Sequence, residues 1–120
     1  MQTFEELLDT SVAAVKAQLG QVLIGAADDI DRSLRQCMDR ALRATAIGRM
    51  DVVQRNISLL PVIGERNRIR ASGSGWTVAR AALGAAVSLV SGLATKGLVD
   101  LAALVRAAVP APDADPTDGD

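Results

Sequence analysis

Apolar residues recur at steps of three or four along the first third of the chain: Phe4, Leu8, Val12, Val15, Leu19, Val22, Ala26, Ile30, Leu34, Met38 and Leu42. That spacing is the period of one buried helical face. Thr3 with Glu6 three residues on forms a capping box at its start, and the acidic first turn suits the helix dipole. Gly20 and Gly25 interrupt the run, each disfavouring helix by about 1 kcal/mol relative to Ala. Two readings are open there, a kink or a turn between two helices. The unbroken phase across both glycines favours one long, kinked amphipathic helix.

Gly48 is the next stop signal. Met50, Val53, Ile57 and Leu60 then mark one side of a short helix over 49–60, and Pro61 disfavours helix at the residue before it. Residues 61–75 read as a basic, Gly-rich connector, with "SGSG" at 72–75 its most flexible joint. A last helix is predicted to start near Ser74–Thr77 and to run to about Ala108, apolar nearly all round. Such a helix must be covered on several sides. The expected fold is all-α: a helical hairpin or small helical bundle. A long N-terminal amphipathic helix packs against an apolar Ala/Gly-rich C-terminal helix. The domain reading is one helical domain over 1–109, divided into N-terminal helices (1–60), connector (61–75) and C-terminal helix (76–109). An acidic, Pro-rich tail follows over 110–120, expected to be disordered.

Within the C-terminal helix Gly84, Ser88 and Gly92 are spaced by four and fall on one stripe. Small side chains at that spacing let another helix backbone approach closely. The neighbouring positions Leu83, Val87, Leu98 and Leu101 complete the candidate helix-packing surface. The plain alternative is a tight crossing inside one bundle. A lone membrane-spanning helix is disfavoured. The longest uncharged run, Ala81–Thr95, has fifteen residues, against roughly 20 for a span. Lys96 and Asp100 fall inside any 20-residue window drawn to the right, read here as an i, i+4 pair on a continuing helix.

Composition adds that the core is built from small aliphatic residues, because Phe4 and Trp76 are the only aromatic side chains among 120 residues. Net charge is −1, but it is partitioned: −5 over residues 1–31, +7 over 32–80 and −3 over 81–120. The simplest account is that these blocks satisfy one another when the chain folds. One basic patch stands out, Arg66, Arg68 and Arg70 with Arg80 and Trp76. Arginines bind phosphate bidentately and an aromatic can stack on a base or sit at a lipid interface. The bland account is pairing with the acidic N-terminal block or the tail.

The chain has no His and one Cys. That removes the commonest general base, the usual triads and most zinc sites. No phosphate-loop pattern is present. Asp28, Asp29 and Asp31 point in different directions on a helix and read as a solvated face. No cofactor, metal site or catalytic residue is expected, and Cys37 reads as a small buried hydrophobe. The N-terminus has neither the basic nor the apolar segment of a secretory signal, so a cytoplasmic, non-enzymatic protein is expected. The leading functional expectation is a helical assembly or adaptor protein, a homo-oligomer or one that binds a partner helix. Association with anionic membrane, as a holin-like, pore-forming or anchoring element, ranks second. Nucleic acid at the Arg66–Arg70 patch ranks third.

Overall fold

The computed structural model describes residues 2–108. Among them are six α-helices and one two-stranded sheet: α1 (Phe4–Leu19), β1 (Leu23–Ile24), α2 (Ala27–Ala46), α3 (Met50–Ser58), α4 (Leu60–Arg66), β2 (Arg70–Ala71), α5 (Gly75–Thr95) and α6 (Leu101–Ala107). The chain is a small all-helical bundle. The tail expected over 110–120 lies outside the described residues.

The N-terminal run is a correction: the expected continuous helix is two. Gly20 adopts a positive φ of 54° at the end of α1, a conformation open to Gly at little cost. The chain then passes through Leu23–Ile24 before α2 begins. Periodicity stays in phase because both helices bury one apolar face against a shared core. Periodicity marks the inner face of each helix, not whether the axis is continuous: at the break Val22 and Ile30 are half-buried and Ala26 is exposed. α1 and α2 lie antiparallel: Lys16 reaches Asp31 at 3.4 Å, and Arg35 reaches back to Glu5 at 3.2 Å and to Asp9. The capping box at Thr3 and Glu6 is present.

α2 is the hub and packs against every other helix. Its inner face, Leu34, Cys37, Met38, Ala41 and Leu42, is at most 1 % exposed. From α1 it meets Phe4, Leu8, Val12 and Val15; from α5, Ala79, Leu83 and Val87 complete the core. Gly48 ends α2 as expected. At φ 73° it closes a Schellman motif, its N–H donating to Thr45 O and that of Arg49 to Ala44 O.

The connector expected over 61–75 is a second correction, because it contains α4 and β2. α3 ends at Ser58, and Leu60, expected to be non-helical before Pro61, opens α4: Pro61 sits in the first turn, where a missing N–H costs nothing and the fixed φ suits the helix. β2 pairs antiparallel with β1, Leu23 opposite Ala71 and Ile24 opposite Arg70. The Ser72 N–H extends the ladder to Val22 O at 2.9 Å. A Cβ on Gly75 would come within 2.7 Å of that same carbonyl, so Gly75 lets α5 start against the strand pair.

The C-terminal helix is the third correction. It ends at Thr95 rather than near Ala108. Gly97, φ 75°, closes a second Schellman motif through Leu98 N–H to Leu93 O and Gly97 N–H to Ala94 O. Asp100 then caps α6, accepting the Ala103 N–H at 3.1 Å. Lys96 and Asp100 therefore flank a turn and are not an i, i+4 pair on one helix.

Candidate helix-packing surface

α5 is rich in Ala, Gly, Val and Ser, and only 33 % of its most apolar 18-residue window is buried. By length and composition alone it is the one helix among the described residues able to cross a membrane. One flank, Ala79, Leu83, Ala86 and Val90, enters the core. Ala82 and Val87 are buried as well, and the outer face remains uncovered. Val78 and Leu89 are exposed, as are Ala81 and Ala85 between them.

Beside that flank, an open groove of about 600 Å³ runs between α3 and α5. The α3 wall is Met50, Val53, Gln54 and Ile57, and Thr45 of α2 contributes at one end. Gly84, Ser88 and Gly92 line the opposite side with Val87 and Ser91. A Cβ built on Gly84 would meet only Ile57 Cδ1, at 3.9 Å, and one on Gly92 would meet nothing within 4 Å. The small residues are thus not used to bring α3 close; they leave room. Arg80 stands toward one end of the groove and Lys96 toward the other, and no carboxylate lines it.

The other residues assigned to this surface separate. Leu83 is fully buried, and Leu101 is buried in α6. Val87 is buried at the groove's edge. Leu98, 69 % exposed, sits in the turn after α5, because the helix that would have carried it onto the stripe has already ended. The α3 wall uses the helix face marked in the sequence by Met50, Val53 and Ile57; what the sequence does not show is that this face stands opposite Gly84, Ser88 and Gly92.

The basic patch also divides. Arg66, Arg68 and Arg70 are exposed, with no carboxylate within 4.0 Å among the described residues. The acidic N-terminal block pairs elsewhere: Glu5 and Asp9 with Arg35, Asp31 with Lys16, Asp29 with Arg32. Arg80 belongs to the groove instead. Trp76 lies over α4, where a Cβ on Gly64 would fall 2.2 Å from the indole, so its ring is committed to packing. Asn67 donates to Ser33 Oγ at 2.7 Å, which holds the end of α4 beside the first turns of α2.

Two buried side chains, Arg43 and Cys37, play structural parts. Arg43 donates from Nε to Asp39 at 2.6 Å and lies 4.7 Å over the Phe4 ring. Burial pushes the Cys37 thiol up to about 12, against the opposing charge of Arg40, so it stays protonated and inert. Among the described residues no group of three or more His, Cys, Asp or Glu is placed to hold a metal. Compared with protein-family models, with curated proteins and with solved structures, the chain matches none.

Proposed function

We propose that this protein is a non-enzymatic helical assembly or adaptor protein that receives another helix along the α3–α5 groove, from a second copy or from a partner. The observation that carries this reading is the open side of α5. An apolar helix with small residues every fourth position, and space in front of Gly84 and Gly92, suits close approach of a second backbone.

The test replaces Gly84, Ser88 and Gly92 with Leu in the full chain. Leu at the two glycines raises helix propensity by about 1 kcal/mol each, and nothing in the structure crowds them, so the fold survives and only the groove is filled. Light scattering should show the oligomer reduced to monomer, with helical circular dichroism unchanged. A mass identical to that of the parent chain counts against the reading.

Anionic membrane is the second reading, favoured by the exposed Arg66, Arg68 and Arg70, which have no carboxylate within 4.0 Å among the described residues. Flotation of the same preparation with anionic vesicles separates the two, since lipid capture that those arginines govern leaves the Leu variant floating.

A further inference from the structure

Around α4 and the strand pair one arrangement occurs twice: an exposed aliphatic side chain beside an exposed arginine. On α4, Val62 and Arg66 stand four residues apart, which puts them on one face of the helix. On the strand pair, Ile24 lies directly opposite Arg70, and residues so opposed in an antiparallel pair share one face of the sheet. Val62 is 50 % exposed and Ile24 58 %. Ile69 is buried, and alternation along the strand turns Arg70 outward. Arg68, on the other side of Ile69, is exposed as well and joins the two pairs along the chain.

The charge of this surface is cationic. Arg66, Arg68 and Arg70 have no carboxylate within 4.0 Å among the described residues. Glu65 is the one acid of residues 60–71. The Asn67 bond to Ser33 brings the start of α2 alongside, with Asp28 and Asp29, and Asp29 is held by Arg32 at 3.3 Å. An acidic partner alone would leave Ile24 and Val62 in water. An anionic lipid surface answers both halves of the pattern, with phosphates for the guanidinium groups and an acyl boundary for the aliphatic ones. A nucleic acid answers only the first. It also draws affinity from bases stacked on aromatic side chains, and neither aromatic of this chain is available: Trp76 packs over Gly64 and Phe4 is buried.

We propose that Ile24 and Val62, with Arg66, Arg68 and Arg70 around them, dock the folded bundle on an anionic membrane surface. The arginines meet lipid phosphates, and the two aliphatic side chains enter the boundary between headgroups and acyl chains. α5 stays in the bundle, because Ala79, Leu83, Ala86 and Val90 hold the core and a spanning α5 would strip it open. None of the five docking residues lines the α3–α5 groove, so this surface works whether or not the chain assembles. It rests on the membrane reading above and deepens it.

Flotation of the full chain with phosphatidylcholine vesicles, with and without phosphatidylserine, tests this. The parent chain should float with the anionic vesicles alone, and less in 1 M salt, where the screening length is about 3 Å. An Arg66→Gln, Arg68→Gln, Arg70→Gln variant should bind about a hundredfold more weakly. An Ile24→Gln, Val62→Gln variant should bind about tenfold more weakly or worse, with helical circular dichroism unchanged because both sites are exposed. Full retention of flotation by this second variant overturns the proposal and leaves the membrane reading standing; no flotation of the parent chain defeats both. A dye that shifts to blue in apolar surroundings, attached to an Ile24→Cys or a Leu89→Cys variant, locates the contact, since Cys37 is buried. A vesicle-dependent shift at 24 alone supports the proposal, and any such shift at 89 overturns it in favour of α5. Retention of single-stranded RNA by a chain that does not float overturns it in favour of nucleic acid.

Discussion

Arg68 has a positive φ of 66°, the one such non-glycine among the described residues. It occupies the position after the α4 cap, and its N–H donates to Glu65 O while that of Ile69 donates to Gly64 O. This is the same Schellman geometry that Gly48 and Gly97 complete for α2 and α5. An L-residue there costs roughly 1–2 kcal/mol. Arg68→Gly should therefore raise stability by about 1 kcal/mol, measured by urea denaturation at unchanged slope; a loss of stability would mean the side chain holds a contact worth more than the strain. None of this was legible from composition. "ERNRIR" offers no glycine to mark the end of α4, and the arginines were read for charge. Cys37, by contrast, was legible, because an isolated Cys at a helical apolar position has one obvious place to go.

At the scale of elements, start signals were easier to read than stop signals. Thr3 and Glu6 announced α1 through chemistry that only a helix N-terminus uses, and Gly48 announced the end of α2. The Gly97 stop was hidden by the apolar residues on both sides of it, which keep a helical rhythm across the turn. Lys96 and Asp100 were compatible with a continuing helix as a pair, and the structure uses them separately. Asp100 is the N-cap of a seven-residue helix, which has little propensity to form alone. Replacing Asp100 with Ala should cost about 1 kcal/mol, expressed as faster amide exchange in residues 101–107 while α2 and α5 keep their protection. Uniform loss of protection would show instead that α6 is an integral part of the bundle. The groove was half legible: the small stripe was visible in sequence, but its α3 wall depends on a tertiary approach that no local pattern encodes.

For the molecule as a whole, the charge blocks read from sequence invite the idea that folding is driven by acidic and basic segments meeting. The geometry argues otherwise. Arg35 is the main clamp between α1 and α2, and the Asp9 hydrogen bond raises its already high pKa. Yet its partners Glu5 and Asp9 are 75 % and 57 % exposed. Exposed pairs of this kind contribute about 0.2–1 kcal/mol each and are screened by salt. At the start of α3 the exposed Asp51 is drawn down to about 2, first by its hydrogen bond from Arg49. Its contribution is present above its unfolded value and is lost as the pH falls through that value toward 2. Leu42, fully buried on the hub helix, is different in kind: truncation to Ala removes transfer energy and leaves a cavity, about 2–5 kcal/mol. Arg35→Ala should thus cost no more than about 2 kcal/mol, shrinking between 0.05 and 1 M salt, whereas Leu42→Ala should cost more at every salt concentration. If the Arg35 variant proves the worse of the two at high salt, the bundle is held by its charge pattern and the core around α2 is secondary. If the order holds, the core carries the fold, and Arg66, Arg68, Arg70, Arg80 and Lys96, which have no carboxylate within 4.0 Å among the described residues, are the charges on which a partner would act.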